Sequence, residues 1–244
     1  MPDWSGFSYL VTNLARQIRP GEIAFSGVNS TLSMLACLMA KRAYDFHFTY
    51  LNVAGGVDPE PGEIPLSSSD PELFRGSAAI FANEDFYDLC TRGRMDLCFL
   101  GAAQIDAEGR TNVSCIGDWH RPKVRLPGGG GAAVMIPTAK RVATWRTEHT
   151  PRTLVEKLDF VTGAGNTAAV VTPLAVFARK SGRLALESWH PESSIEEVRR
   201  RTGFSFDAKN ARPTTKPTER ERAALASLDP ARQFESDAAI VVHA

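Results

Sequence analysis

The sequence predicts an α/β fold: an open, mostly parallel sheet with flanking helices, then a C-terminal hairpin and tail. Three observations carry this. Short apolar runs at 22–26, 46–53 and 95–101 read as buried strands. Helical 3/4 patterns separate or follow them at 31–42 and 85–94. Glycine turns, Gly27 and Gly55-Gly56, follow the first two strand ends, as in parallel βα units.

At 244 residues the chain can bury a large core. Its 28 basic and 28 acidic side chains balance, so nothing asks for a nucleic acid or an anionic membrane surface. The first residues are acidic and lack the basic start of a secretory signal. No run of about 18 apolar residues is present to span a bilayer. Cys37, Cys90, Cys98 and Cys115 form no CxxC pair, so reduced, mostly buried thiols in a cytoplasmic protein are expected, and no metal.

In chain order, residues 4–19 predict an amphipathic helix, with Phe7, Leu10, Val11, Leu14 and Ile18 on one face and Pro20-Gly21 as its stop. The strand at 22–26 runs through Gly27-Val28-Asn29-Ser30 into the helix at 31–42. That helix N-terminus suits an anion, or is simply capped by Ser30 or Asn29; both readings stand. There is no GxGxxG to support a dinucleotide fold. The strand at 46–53 runs into Ala54-Gly55-Gly56-Val57-Asp58-Pro59, at the carboxyl end where open α/β sheets place ligands.

Residues 85–94 predict a helix with Phe86, Leu89 and Cys90 inward, and 95–101 a buried strand. Residues 132–136, 141–145 and 158–162 read as further strands, with a small helix or turn at 136–140. Residues 168–177 and 184–188 read as a hairpin around 180–183. Residues 194–202 read as a capped helix whose three arginines complement its C-terminal dipole. The composition shifts at 209. A domain of residues 1–208 is therefore expected, followed over 209–244 by a linker, a helix at 218–228 capped by Thr218, and a short apolar strand at 238–243. That tail would pack on the domain or on a partner.

The most informative stretch runs from 100 to 133, LGAAQIDAEGRTNVSCIGDWHRPKVRLPGGGGAA. It passes a turn at 106–109 and ends in Gly128, Gly129, Gly130 and Gly131. Four glycines are entropically costly, and no serine-rich flank marks a linker. They suit a ligand-facing or closely packed loop whose amides meet a phosphate, a carboxylate or a developing oxyanion. Within it, Asp118 and Arg121 either pair with each other, or Arg121 is offered to an anion. His120 reads as a proton carrier or, as one of five scattered histidines, as a plain loop residue.

The segments GAAQID, GxTN, IGD and RPKVRLPGGGGA resemble the β subunits of the family I coenzyme A transferases, in the glutaconate CoA-transferase branch, over about 26–162. Within that branch the likeness is to the actinobacterial group of cholesterol-ring-opening acyl-CoA hydrolases. The resemblance implies an active site shared with a homologous α subunit, an α2β2 assembly, and coenzyme A as part of the substrate with no further cofactor. From this chain it implies substrate or CoA contacts at Asn29, Asn52, Val53, Ala54, Gly55 and Gly56 and at Gly128 to Gly131.

The family's nucleophile is a glutamate in the turn after the second strand, which carries CoA as a glutamyl thioester. Here the matching residues are Val53-Ala54-Gly55 or, one register on, Ala54-Gly55-Gly56, and neither holds a carboxylate. Asp58 and Glu60 are the nearest replacements. The resemblance therefore implies hydrolytic C–C ring opening of a steroid-derived acyl-CoA, with the base supplied by the α chain. The alternatives are CoA transfer and a non-catalytic scaffolding subunit. A serine hydrolase is disfavoured, because no GxSxG elbow exists.

Overall fold

The computed structural model describes residues 6–237. Along the chain come α1 (Gly6–Ala15), β1 (Ile23–Ser26), α2 (Thr31–Ala43), β2 (Thr49–Asn52) and β3 (Gly56–Val57). A single 3-10 turn (Pro71–Phe74) precedes β4 (Ala79–Ile80), α3 (Asn83–Thr91) and β5 (Leu97–Gly101). Two small hairpins follow, β6 (Gln104–Ile105) with β7 (Thr111–Asn112) and β8 (Cys115–Gly117) with β9 (Pro122–Arg125). Then come α4 (Ala132–Thr138), β10 (Arg141–Trp145), β11 (Thr167–Val171), β12 (Ala175–Lys180) and β13 (Arg183–Trp189). The chain continues through α5 (Ile195–Arg201), β14 (Arg212–Pro213), α6 (Glu219–Leu228) and α7 (Gln233–Asp237).

The main sheet has the order β14-β13-β12-β11-β10-β5-β1-β2-β3-β4. Its centre, β11-β10-β5-β1-β2, is parallel throughout, and antiparallel pairs extend it on both sides. Side chains alternate across the sheet. Ala24, Tyr50, Leu97, Phe99 and Ala143 pack with α1, α2 and α6 on one face. Phe25, Leu51, Cys98, Leu100 and Val142 pack with α3 and α4 on the other. Central strands covered on both faces explain why β1 and β5 read as continuous apolar runs.

Phe7, Leu10, Val11, Leu14 and Ile18 are all buried, as the spacing predicted. The four cysteines are free and buried. No helix among the described residues is long and apolar enough to cross a membrane.

Several expectations need correction. Residues 132–136 are helical, not a strand. Gly129 O accepts from Ala132 N at 2.6 Å and Gly131 O from Met135 N at 2.8 Å, winding the apolar run against α3 and β5. Residues 158–162 form no strand. The Thr162 amide reaches Thr111 O, while the Asp159 and Thr162 side chains take the remaining bonds. The run 168–177 is two strands, β11 and β12, parted by a turn at Thr172 and Pro173, where proline withholds a ladder amide. The β8–β9 hairpin and β14 had no sequence prediction. The predicted strand at 238–243 lies outside the described residues.

Candidate active site

The carboxyl ends of β1, β2, β5, β10 and β11 lie at one end of the sheet, and the loops after β1 and β2, with Asn29 and residues 52–56, leave from there. The β2 turn is wired from beneath. Asn52 Oδ1 accepts from Ala54 N at 2.8 Å, and Asn52 O accepts from Gly55 N at 2.8 Å. Val53 N is taken by Ser26 O at 3.1 Å. Asn52 is fully buried, and its amide donates to Tyr50 Oη at 2.9 Å. Tyr50 Oη in turn shares a 2.6 Å hydrogen bond with Ser26 Oγ. Burial above all pushes the Tyr50 hydroxyl well above the ordinary phenol range, so it stays protonated.

The turn therefore has no free amide at Val53, Ala54 or Gly55. Its side chains are the half-buried, apolar pair Val53 and Ala54, each packed in part on a core. Gly55 and Gly56 are glycines for packing. A Cβ on Gly56 would stand 2.2 Å from Leu73 O, and one on Gly55 would stand 2.7 Å from Phe81 O. Neither nearby acid replaces a nucleophile in the turn itself. Asp58 Oδ1 accepts from Tyr50 N at 2.7 Å and pairs with Lys41 Nζ at 2.6 Å, which makes it a clamp on β2. Glu60 lies exposed beyond Pro59, its amide bonded to Arg75 O.

Gly27, Val28 and Asn29 form the β1 loop beside this turn. Val28 and Asn29 are exposed, and Asn29 has φ +50. Of the two caps expected for α2, Ser30 holds the position, but its hydroxyl bonds Ser33 Oγ at 2.6 Å and caps no amide. Ser68 Oγ ties this loop shut by accepting from Ser30 N and donating to Gly27 O.

The tetraglycine loop divides in two. Gly128 and Gly130 have positive φ and nothing within 4 Å of a would-be Cβ. A Cβ on Gly131 would stand 2.6 Å from Met135 Cε, and one on Gly129 would stand 3.2 Å from Ala133 Cβ. Gly128 N is spent on Val113 O at 2.8 Å, whereas Gly129, Gly130 and Gly131 have no backbone acceptor for their amides among the described residues. Val53 and Val113 both pack on the α3/α4-side core. Ala54, by contrast, packs on the core of the opposite face, so the β2 turn straddles the edge between the two. Beneath the loop, Asn112 and Gln104 bond each other at 2.7 Å, and Gln104 reaches Asp159 at 2.9 Å, fixing the β6–β7 hairpin on which the loop rests.

Asp118 does not pair with the Arg121 guanidinium. Its Oδ1 accepts from the backbone amides of His120 and Arg121 at 2.9 and 3.0 Å, closing the β8–β9 turn. His120 and Arg121 are exposed there, with Trp119 stacked on Phe160 at 4.5 Å. Among the described residues no His, Cys, Asp and Glu group is arranged to hold a metal. Sequence reasoning missed Tyr50 and Ser26. The signal was available: Tyr50 alternates with Asn52 on one face of a strand.

A family model described as coenzyme A transferase matches residues 8–201. The chain belongs to the coenzyme A transferase family. It is 30% identical to the β subunit of the 3-oxoadipate CoA-transferase of Pseudomonas knackmussii, over 94% of this chain and 95% of the relative. Among solved structures it is similar to the decarboxylase AibA/AibB, with a TM-score of 0.88 and 31% identity, covering 95% of this chain and 98% of that one. It is also similar to the glutaconate coenzyme A-transferase of Acidaminococcus fermentans, with a TM-score of 0.82 and 26% identity over 98% of both chains. In this coenzyme A transferase chain, the turn at the end of β2 carries no acidic side chain.

Proposed function

We infer that this chain is the β subunit of a heteromeric acyl-CoA enzyme, completed by a homologous α chain in an α2β2 assembly, and that its reaction is hydrolytic. One observation carries the reading. The β2 turn presents Val53 and Ala54 where the family's transferases keep their glutamate, and Asp58 is committed to Lys41 and the Tyr50 amide. An apolar turn suits a bulky ring better than a charged nucleophile does.

The substrate proposed is a steroid-derived cyclic acyl-CoA bearing a ring ketone β to the thioester, as formed in cholesterol catabolism. A carboxylate of the α chain takes a proton from water, and the hydroxide adds to the ring ketone. The alkoxide collapses by breaking the bond to the carbon beside the thioester carbonyl. The electron pair passes into the thioester enolate, which takes a proton at carbon. The product is one ring-opened chain with a new carboxylic acid and an intact thioester. The amides of Gly129, Gly130 and Gly131 are the donors proposed for the oxyanion.

The decisive assay uses this chain co-expressed with its α chain. It follows free CoA, thioester and product from a ring-bearing acyl-CoA, with and without acetate or succinate. Addition of one water with the thioester intact, independent of acceptor, supports the reading. CoA exchange that depends on acceptor overturns it and favours CoA transfer, the second reading, to which the similarity with the 3-oxoadipate transferase points. Transfer would then recruit Glu60 or a carboxylate of the partner. Unchanged turnover after rebuilding the turn at 52–56 would leave this chain a scaffolding subunit.

A further inference from the structure

Helix α3 carries a tyrosine whose hydroxyl the packing of the fold leaves unused. Phe86 is buried, its ring stacked on Phe25 of β1 with centroids 3.8 Å apart, whereas the next residue, Tyr87, is 38% exposed. Tyr87 Oη meets no hydrogen-bonding partner among the described residues. Water satisfies a hydroxyl in that position, so exposure alone assigns nothing to it. Its neighbour does.

A Cβ on Gly131 would stand 3.4 Å from Tyr87 Oη, so the hydroxyl lies against the glycine loop. The Gly131 amide nitrogen is bonded to the same Cα, which places amide and hydroxyl within about 6 Å of each other. Two donors that each reach one oxygen at about 2.9 Å are themselves separated by no more than about 6 Å. The amides of Gly129, Gly130 and Gly131 have no backbone acceptor among the described residues. The separation thus fits a single oxygen held by a glycine amide and the Tyr87 hydroxyl together.

The tyrosine is also mounted rigidly, and from the β2 turn. Gly55 O accepts from Phe81 N at 2.9 Å, and Asp85 Oδ2 accepts from Ala82 N at 2.9 Å at the start of α3. One residue before Tyr87, the Phe86 ring is pinned on β1. From there α3 packs against α4, the helix that the glycine loop enters. A donor on such an element holds its place without being ordered by the substrate.

We propose that Tyr87 is a catalytic residue, its hydroxyl donating a hydrogen bond to the oxyanion that the glycine-loop amides bind. This rests on the hydrolytic acyl-CoA reading above and adds a side-chain donor to it. When hydroxide adds to the ring ketone, the carbonyl oxygen becomes an alkoxide, and a hydrogen bond to it strengthens with the charge. The proton stays on Tyr87 throughout. As the carbon–carbon bond breaks, the alkoxide becomes the carbonyl of the new carboxylic acid and the hydrogen bond relaxes. The contact is strongest in the transition state, so its loss falls on kcat rather than on KM.

The test is turnover of a cyclohexanone-carboxyl-CoA, its ketone β to the thioester, by the purified αβ assembly carrying Tyr87→Phe or Tyr87→Leu. Tyr87→Phe keeps the ring and removes the hydroxyl alone. Its kcat is expected to fall about 100-fold, with KM changed less than about twofold and the melting temperature unmoved. Tyr87→Leu should match it in kcat, because the hydroxyl carries the effect. Wild-type kcat in Tyr87→Phe overturns the proposal, and so does a loss confined to KM. A loss seen only in Tyr87→Leu also overturns it and assigns the ring to packing on the glycine loop. A wild-type assembly that exchanges CoA with acetate or succinate, and adds no water, overturns the hydrolytic reading instead. The Tyr87 proposal is then read on that exchange, where the thioester carbonyl oxygen gains the charge. A fall in its kcat in Tyr87→Phe upholds the donor, and an unchanged kcat overturns it.

Discussion

Tyr50 ends in a hydroxyl that no water reaches, held between Ser26 Oγ at 2.6 Å and Asn52 Nδ2 at 2.9 Å. Tyr50→Phe keeps the ring and leaves Asn52 Nδ2 and Ser26 Oγ only the long 3.4 Å hydrogen bond between them. A loss of about 1–3 kcal/mol is expected, visible as a melting temperature lower by several degrees. The glycines give a sharper contrast. Gly56→Ala drives a methyl into Leu73 O, which is backbone and cannot rotate away, so the β2 turn must shift. Gly130→Ala meets nothing within 4 Å and carries only the strain of φ +39, about 1 kcal/mol. Urea denaturation of the two variants should show Gly56→Ala as clearly the more destabilised.

Among the elements, α6 owes its start to a reciprocal cap: Thr218 Oγ1 accepts from Glu221 N at 3.2 Å, and Glu221 Oε2 accepts from Thr218 N at 2.7 Å. The Glu221 carboxylate also takes the Arg16 guanidinium at 2.8–2.9 Å and the Tyr44 hydroxyl at 2.9 Å, joining α6 to α1 and α2. Thr218→Ala should cost about 1 kcal/mol. Glu221→Ala should cost several times that, because it also leaves Arg16 half-buried without its anion. Thermal unfolding of the pair checks the ranking.

Cap chemistry of this kind is local, which is why Ser194 and Thr218 were legible from sequence. The buried strands β1 and β5 were legible because both of their faces are apolar. Residues 132–136 were not, because five apolar residues carry no period that separates helix from strand. Pro173 was the overlooked signal for the break between β11 and β12. The glycines of the site stand out in any reading of the chain. The Tyr50–Ser26 link depends on the register between β1 and β2, which no pattern within either strand encodes.

At the scale of the whole molecule, two buried histidines tie the antiparallel half of the sheet to its loops. His149 bonds Thr172 Oγ1 at 2.7 Å and Thr202 Oγ1 at 3.0 Å. His190 bonds Thr214 Oγ1 and Thr172 O, each at 3.0 Å. Burial, aided for His149 by the Arg201 and His190 charges, pushes the pKa values down from 6.5 to about 3 for His149 and about 4 for His190. An unfolded chain takes up these protons near pH 6.5, and the folded one only near pH 4 and 3. Stability is therefore full above pH 6.5 and falls as the pH drops through that window, by up to about 1.4 kcal/mol per unit for each histidine. Melting curves from pH 7 to 4 should show the decline, and a His149→Gln, His190→Gln double variant should flatten it.

The sheet's two outermost strands, β4 and β14, are each two residues long, and β14 contains Pro213. A neighbour trying to lengthen the sheet would find almost no template to copy. Among the described residues, β4 and β14 thus disfavour growth sideways, towards fibres or strand-swapped pairs alike. Recognition by another chain must then be written in loops and side chains, where single substitutions can tune it.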